Sequence, residues 1–143
     1  MSPRELHHPW RHLRDHWPHV RVEYGELPAG RLAETDGIAL IRLRSRLVQA
    51  ERRVAICHET IHLERGHRNP CSAAEERSVE EETARRLISL DDLVWALRWT
   101  RDLQELADEL WVMPATVATR LDRLNADERK AVSKVCSDLE LAA

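Results

Sequence analysis

The 143-residue sequence predicts an α+β fold in which a small antiparallel sheet comes first and helices follow. Two observations predict it. Between residues 20 and 47 apolar and polar side chains tend to alternate, broken by turn signals at "PAG" and at Asp36-Gly37. From about Gln49 the apolar residues instead recur three and four apart, the spacing of one helix face. The length and a hydrophobic content of 43% fit a single domain, residues 1–143, with a core of its own.

The elements follow in order. "HHPWRHLRDHWP" predicts a short helix with Pro9 as its first residue and Pro18 as its stop. Trp10, Leu13 and Trp17 recur at helical spacing and should point inward. "VRVEYGEL" reads as a half-buried strand carrying Val20, Val22 and Tyr24 on one face, and "RLAETDG" as a short strand ending in a turn. "IALIRLRSRL" is the strongest strand; Ile38, Leu40 and the later leucines suggest its buried face, although Ile41 blurs the alternation. A helix then runs from about Gln49 to Gly66, a natural C-terminal stop. "HRNPCSAA" is a loop. "AEERSVEEETARRLISL" is a second long helix with Ala84, Leu87 and Ile88 facing the core. "DDLVWALRWT", "DLQELADELWVMP", "ATVATRLDRL" after Pro114, and a last segment opened by Asn125 supply the remaining helices.

Composition narrows the function classes. A formal net charge of −3 with 33% charged residues exerts no global pull on nucleic acid or membrane. Cys57, Cys71 and Cys136 are an odd number with no C-x-x-C, so neither a disulfide framework nor a cysteine-rich zinc site is indicated. No apolar run approaches the roughly 20 residues of a membrane span. "MSPRELHHPW" has no apolar stretch of the signal-peptide kind, so a cytoplasmic location is expected. His8, His12 and His16 stand four apart but have no carboxylate or cysteine companion, and are best read as solvated beside the Trp/Leu stripe.

The chemistry is concentrated in "ICHETIHLERGH", residues 56–67, which contains His58-Glu59-Thr60-Ile61-His62. On a helix, residues four apart share a face, with Cβ atoms about 5–6 Å apart. Imidazoles so placed can share one zinc, at Zn–N distances of about 2.0–2.1 Å. Glu59 follows the first histidine and falls beside the metal rather than on it, where a carboxylate can take a proton from the attacking water. A catalytic zinc usually has three protein ligands. His67 lies nine residues after His58, one step short of the elongated pattern H-E-x-x-H-x-x-G-x-x-H. The other source is a carboxylate of the next helix. Relative to its core stripe of Ala84, Leu87 and Ile88, Glu80 and Glu81 lie on the two flanks and Glu82 points away. Rotation around the helix does not choose between Glu80 and Glu81.

"HETIHLERGH" followed by an E-x-x-A helix resembles the ImmA/IrrE family of small zinc metallopeptidases. His58, Glu59, His62, Gly66 and His67 match its first motif. In its second, E-x-x-A-x-x-F-A, aligning Ala84 places the ligand glutamate at Glu81, with Leu87 and Ile88 in the Phe and second Ala positions. The resemblance spans roughly residues 20–125 and is strongest at the two motif helices. It implies a minimal gluzincin-like arrangement, with zinc held by His58, His62 and Glu81 and with Glu59 as general base. The implied activity is metalloendopeptidase, and the implied partner a helix-turn-helix repressor of a phage or mobile element. Four residues after the ligand glutamate the family often carries Asn or Asp, able to orient a ligand histidine; this chain carries Arg85, which accepts no hydrogen bond. His67 and Tyr24 are both candidates for an oxyanion donor, neither favoured.

An alternative reading rests on residues 101–125, where "LQELADELWVMPATVATRL" is helix-turn-helix-like. A DNA-binding or repressor-binding regulator without catalysis would use this segment. DNA-binding versions usually place glycine in the tight turn, where φ is positive, and Trp111 stands there. Arg120 and Arg123 are the only cations the second helix offers for phosphate contacts, so direct binding of nucleic acid is not expected.

Overall fold

The computed structural model describes residues 7–67 and 71–142. Helix α1 (Pro9–His16) leads into strands β1 (Arg21–Gly25), β2 (Ala33–Thr35) and β3 (Leu40–Arg44). Six helices follow: α2 (Gln49–Arg65), α3 (Ala73–Leu87), α4 (Leu90–Leu97), α5 (Leu103–Leu110), α6 (Pro114–Asp122) and α7 (Ala126–Ala142). The fold is therefore α+β, with the strands ahead of the long helices. The middle of the expected loop at 67–74, residues 68–70, lies outside the described residues.

The sheet is mixed, not antiparallel as expected. Its order is β1-β3-β2. The β2–β3 pair is an antiparallel hairpin, with Thr35 opposite Ile41 and Ala33 opposite Leu43. Asp36 closes it: one carboxylate oxygen accepts from the backbone N–H groups of Ile38, Ala39 and Leu40 at 2.8–3.0 Å. Gly37 takes the positive φ of 75° in that turn. β1 then pairs with the other edge of β3 in parallel, Arg21 against Leu40 through Gly25 against Arg44. Parallel strands need a crossover of about a dozen residues or more. Residues 26–39, which include β2, provide one. The most apolar strand thus takes the centre and leaves β2 at an edge.

The buried face of β3 is only partly the one expected. Ile41 and Leu43 are fully buried, while Ile38 is exposed. Leu43, one of the later leucines, is buried as expected, and Ile41, two residues before it, shares its face, which turns Ile38 and Leu40 to the other side. Likewise Tyr24, expected to be half-buried, is exposed at the end of β1.

Helix α2 is the centre of the molecule. Ile56, Ala55 and Leu63 face the sheet and α1, packing with Ile41, Leu43 and Leu13. Cys57 and Ile61 face the opposite way, into a cluster with Val79, Leu87 and residues of α4–α7. A helix apolar on several sides is a buried helix. Each large side chain so covered contributes roughly 1.5–3 kcal/mol. Gly66 ends α2 in the left-handed conformation, φ 66°. Ser72 and Glu75 form a capping box at the start of α3, and Asn125 and Glu128 form another at α7.

Helix α3 crosses α2. On one side its first two turns meet His58, His62 and Arg65, through Glu76 and Ser78. On the other its last turn meets Glu64 through Arg86, at 2.6 Å. That crossing decides which carboxylate of α3 reaches the histidines. No helix among the described residues is long and apolar enough to cross a membrane.

Candidate metal centre

His58 and His62 project from one face of α2, as their spacing requires, and their Nε2 atoms stand 3.2 Å apart. Glu76, in the first turn of α3, sets one carboxylate oxygen 3.1 Å from His62 Nε2 and the other 3.1 Å from His58 Nε2. These three donors would suit a zinc ion. A tetrahedral zinc with bonds near 2.0–2.1 Å spaces its ligand atoms about 3.3 Å apart. Both the chemistry of the set, two imidazoles and a carboxylate, and its spacing fit.

Glu81, the residue selected by the resemblance, is not brought to the imidazoles. It lies one turn before Arg85, whose cation it helps to stabilise. Glu76 and Glu81 are five residues apart, about 140° around a helix, and cannot face the same point. Glu80 is exposed but lines the cavity beside the histidines. Glu82 is bound to Arg86 at 2.9 Å. Arg85 itself reaches Glu128 and the Arg123 carbonyl, so it plays no part in orienting a histidine.

His62 is the buried member of the set, its side chain 5% exposed. Burial, and next the neighbouring His58, push its pKa below the ordinary 6.5. That favours the neutral ring, the state in which an imidazole ligates a metal. Glu59 is 7% exposed and borders the same cavity. Burial, reinforced by the charge of Glu76, pushes its carboxyl up to about 8, with Arg31 opposing. A dication next to it would draw that value back down.

The cavity has a volume of about 370 Å³. One wall is β2 and the turn before it, from Gly30 to Thr35; the other carries His58, Glu59 and His62, with His67, Cys71, Glu76 and Glu80 around them. β2 is the sheet edge, so a strand with one open side runs along a cavity containing two imidazoles and a buried carboxyl. An extended peptide can add to such an edge through main-chain hydrogen bonds.

Behind His62, its Nδ1 stands 3.1 Å from His67 Nδ1 and 3.6 Å from Cys71 Sγ. Tyr24 does not line the cavity. Cys57 is 2% exposed in the core, and burial pushes its thiol up to about 12. His12 bonds Glu64 at 2.9 Å and stacks on His16, so the α1 histidines pack among themselves and against α2.

The helix-turn-helix-like segment forms α5 and α6. Trp111 does take the positive φ of the turn, 58°. Arg120, however, is 3% exposed, bonded to the Ile88 carbonyl and to Glu128. It cannot reach a phosphate from there, which leaves Arg123 as the exposed cation of the two. Comparison of the chain with protein-family models, with curated proteins and with solved structures finds no match.

Proposed function

We propose that the chain is a zinc-dependent metalloendopeptidase of the ImmA/IrrE kind, with His58, His62 and Glu76 as ligands and Glu59 as the general base. One observation carries the reading: two imidazole nitrogens and a carboxylate converge at 3.1–3.2 Å in a cavity that also contains a buried glutamate. Bound zinc supplies a Lewis acid and an acidified water. His58 and His62 present their Nε2 lone pairs from one face of a helix, and Glu76 adds the compensating negative charge. Glu59 accepts the proton of the attacking water and returns it to the leaving amine nitrogen. Its burial in a partly closed cavity keeps a carboxyl basic enough for that exchange. β2 offers its open edge to hold the peptide extended across the site.

That the substrate is a helix-turn-helix repressor of a phage or mobile element follows from the resemblance alone, and a cytoplasmic location accords with it. The α5–α6 segment belongs to the body of the domain in this reading, because Arg120 is committed to the interior. Co-expression with a repressor encoded nearby tests the proposal. The wild-type chain should shorten the repressor. Glu59→Gln should capture it uncut, with the rate down by about 10²–10⁴. Equal relief of repression by both proteins, with no cut, would make the chain a binding antagonist.

A further inference from the structure

We propose that His67 is a positioning residue for the metal centre: it accepts a hydrogen bond from His62 Nδ1–H and donates one to Glu75, fixing the His62 tautomer whose Nε2 is free for zinc. The inference rests on the metal-centre reading above. His67 and Glu75 act through His62 and do not ligate the metal themselves.

The local backbone sets the first contact. Gly66 adopts φ 66°, which turns the chain so that the His67 N–H returns to the His62 carbonyl at 3.0 Å. The His67 ring is thereby folded back onto the ring of His62, Nδ1 to Nδ1 at 3.1 Å. One of these nitrogens must donate and the other accept. If His62 Nε2 gives its lone pair to a metal, its neutral ring carries the proton on Nδ1 and donates. His67 then accepts on Nδ1 and carries its own proton on Nε2. That atom stands 3.2 Å from Glu75 Oε2, an acceptor. Each position in the chain has only one consistent assignment.

Glu75 is fixed by a separate device. Its Oε1 accepts from the Ser72 N–H at 3.1 Å in the capping box of α3, which leaves Oε2 for His67. The C-terminal cap of α2 and the N-terminal cap of α3 therefore hold the two ends of the relay. The side chains of His62 and His67 are 5% and 15% exposed, so water competes weakly for the inner bond. Partners behind a ligand histidine fix its ring and raise its basicity. Here a histidine takes the place of the usual carboxylate. Cys71 Sγ is the competing neighbour, and with His62 Nδ1 and His67 it forms a second cluster of potential donors. A neutral imidazole has one lone pair, so His62 serves one cluster or the other.

Zinc affinity, measured by competition with a chromogenic chelator, tests the relay in the full chain. His67→Ala should bind zinc about 10–100-fold more weakly. His67→Gln should restore most of the loss, since its amide oxygen accepts and its NH₂ donates. His58→Ala is the control for the centre itself. Loss of affinity in His58→Ala with none in His67→Ala sinks the relay alone; wild-type affinity in His58→Ala sinks the centre and the relay with it. Failure of His67→Gln to exceed His67→Ala also overturns the relay. Imidazole ¹⁵N shifts of the zinc-loaded wild type require no variant and should show His62 protonated at Nδ1 and ligated at Nε2. The reverse pattern, or a thiolate-to-metal band in the Co²⁺ form that Cys71→Ser abolishes, would place the metal in the second cluster and overturn the proposal.

Discussion

Glu76 faces both imidazoles with one carboxylate, an oxygen to each, and is the residue on which the candidate centre closes. Glu76→Gln should therefore lower zinc affinity by more than the roughly 10–100-fold that accompanies loss of a group behind a ligand. Glu81→Gln should leave affinity unchanged, because Glu81 sits beside Arg85. A chelator competition on both variants checks this, and the opposite order would restore Glu81 to the centre. The approach of His58 to His62 was legible in the sequence because helical spacing alone fixes it. Glu76 was not. The core stripe of α3 and its E-x-x-A pattern point to Glu80 and Glu81, later in the helix. The turn that meets α2 depends on where the two helices cross, and no local pattern records that. The contact of His67 with His62 depends likewise on the turn at Gly66, while Arg85 stands where the family pattern places an orienting residue.

At the scale of elements, boundaries of α1, α2, α6 and α7 follow signals readable in the chain: Pro9 and Pro114 at helix starts, Gly66 at a helix end, Asn125 at a cap. The α5–α6 turn departs from its signal. A non-glycine residue in the left-handed region costs roughly 1–2 kcal/mol, yet Trp111 is there. The surroundings compensate. Val112 N–H returns to the Ala107 carbonyl at 3.0 Å. Buried Arg53 reaches across from α2 to donate to the carbonyls of Leu110 and Trp111, at 3.2 and 2.9 Å, and to that of His7 at 3.0 Å. Arg53→Met would fill much of the same space and leave those carbonyls without their donor. Urea unfolding should show a loss of about 1–3 kcal/mol for each buried acceptor left unsatisfied. An unchanged midpoint would mean that Arg53 does not hold the turn. The direction of β1 was the other element-scale miss: alternation specifies a strand and a face, whereas parallel or antiparallel pairing is set by how the crossover packs.

For the whole molecule, Glu128 joins three helices. It accepts from Arg85 of α3 and Arg120 of α6 while capping α7 through Asn125. The Arg120 guanidinium, then that of Arg85, holds its carboxyl well below the ordinary 4.5. A carboxyl lowered in the folded state contributes stability above its unfolded value, and that stability is lost as pH falls below it. Melting temperature should therefore drop as pH falls from 4.5, and Glu128→Gln should melt lower at pH 7 with a shallower acid limb. Equal acid slopes would show that other carboxylates govern the transition. The order of strands before helices was legible because periodicity changes near residue 49. The joining of α3 to α6 and α7 through one buried carboxylate was not, since Arg85 and Glu128 stand 43 residues apart in sequence. Elemental analysis of the purified chain beside His62→Ala tests the central claim most directly. The account predicts about one zinc per wild-type chain and almost none in the variant. Equal metal in the two proteins, or none in the wild type, would contradict it.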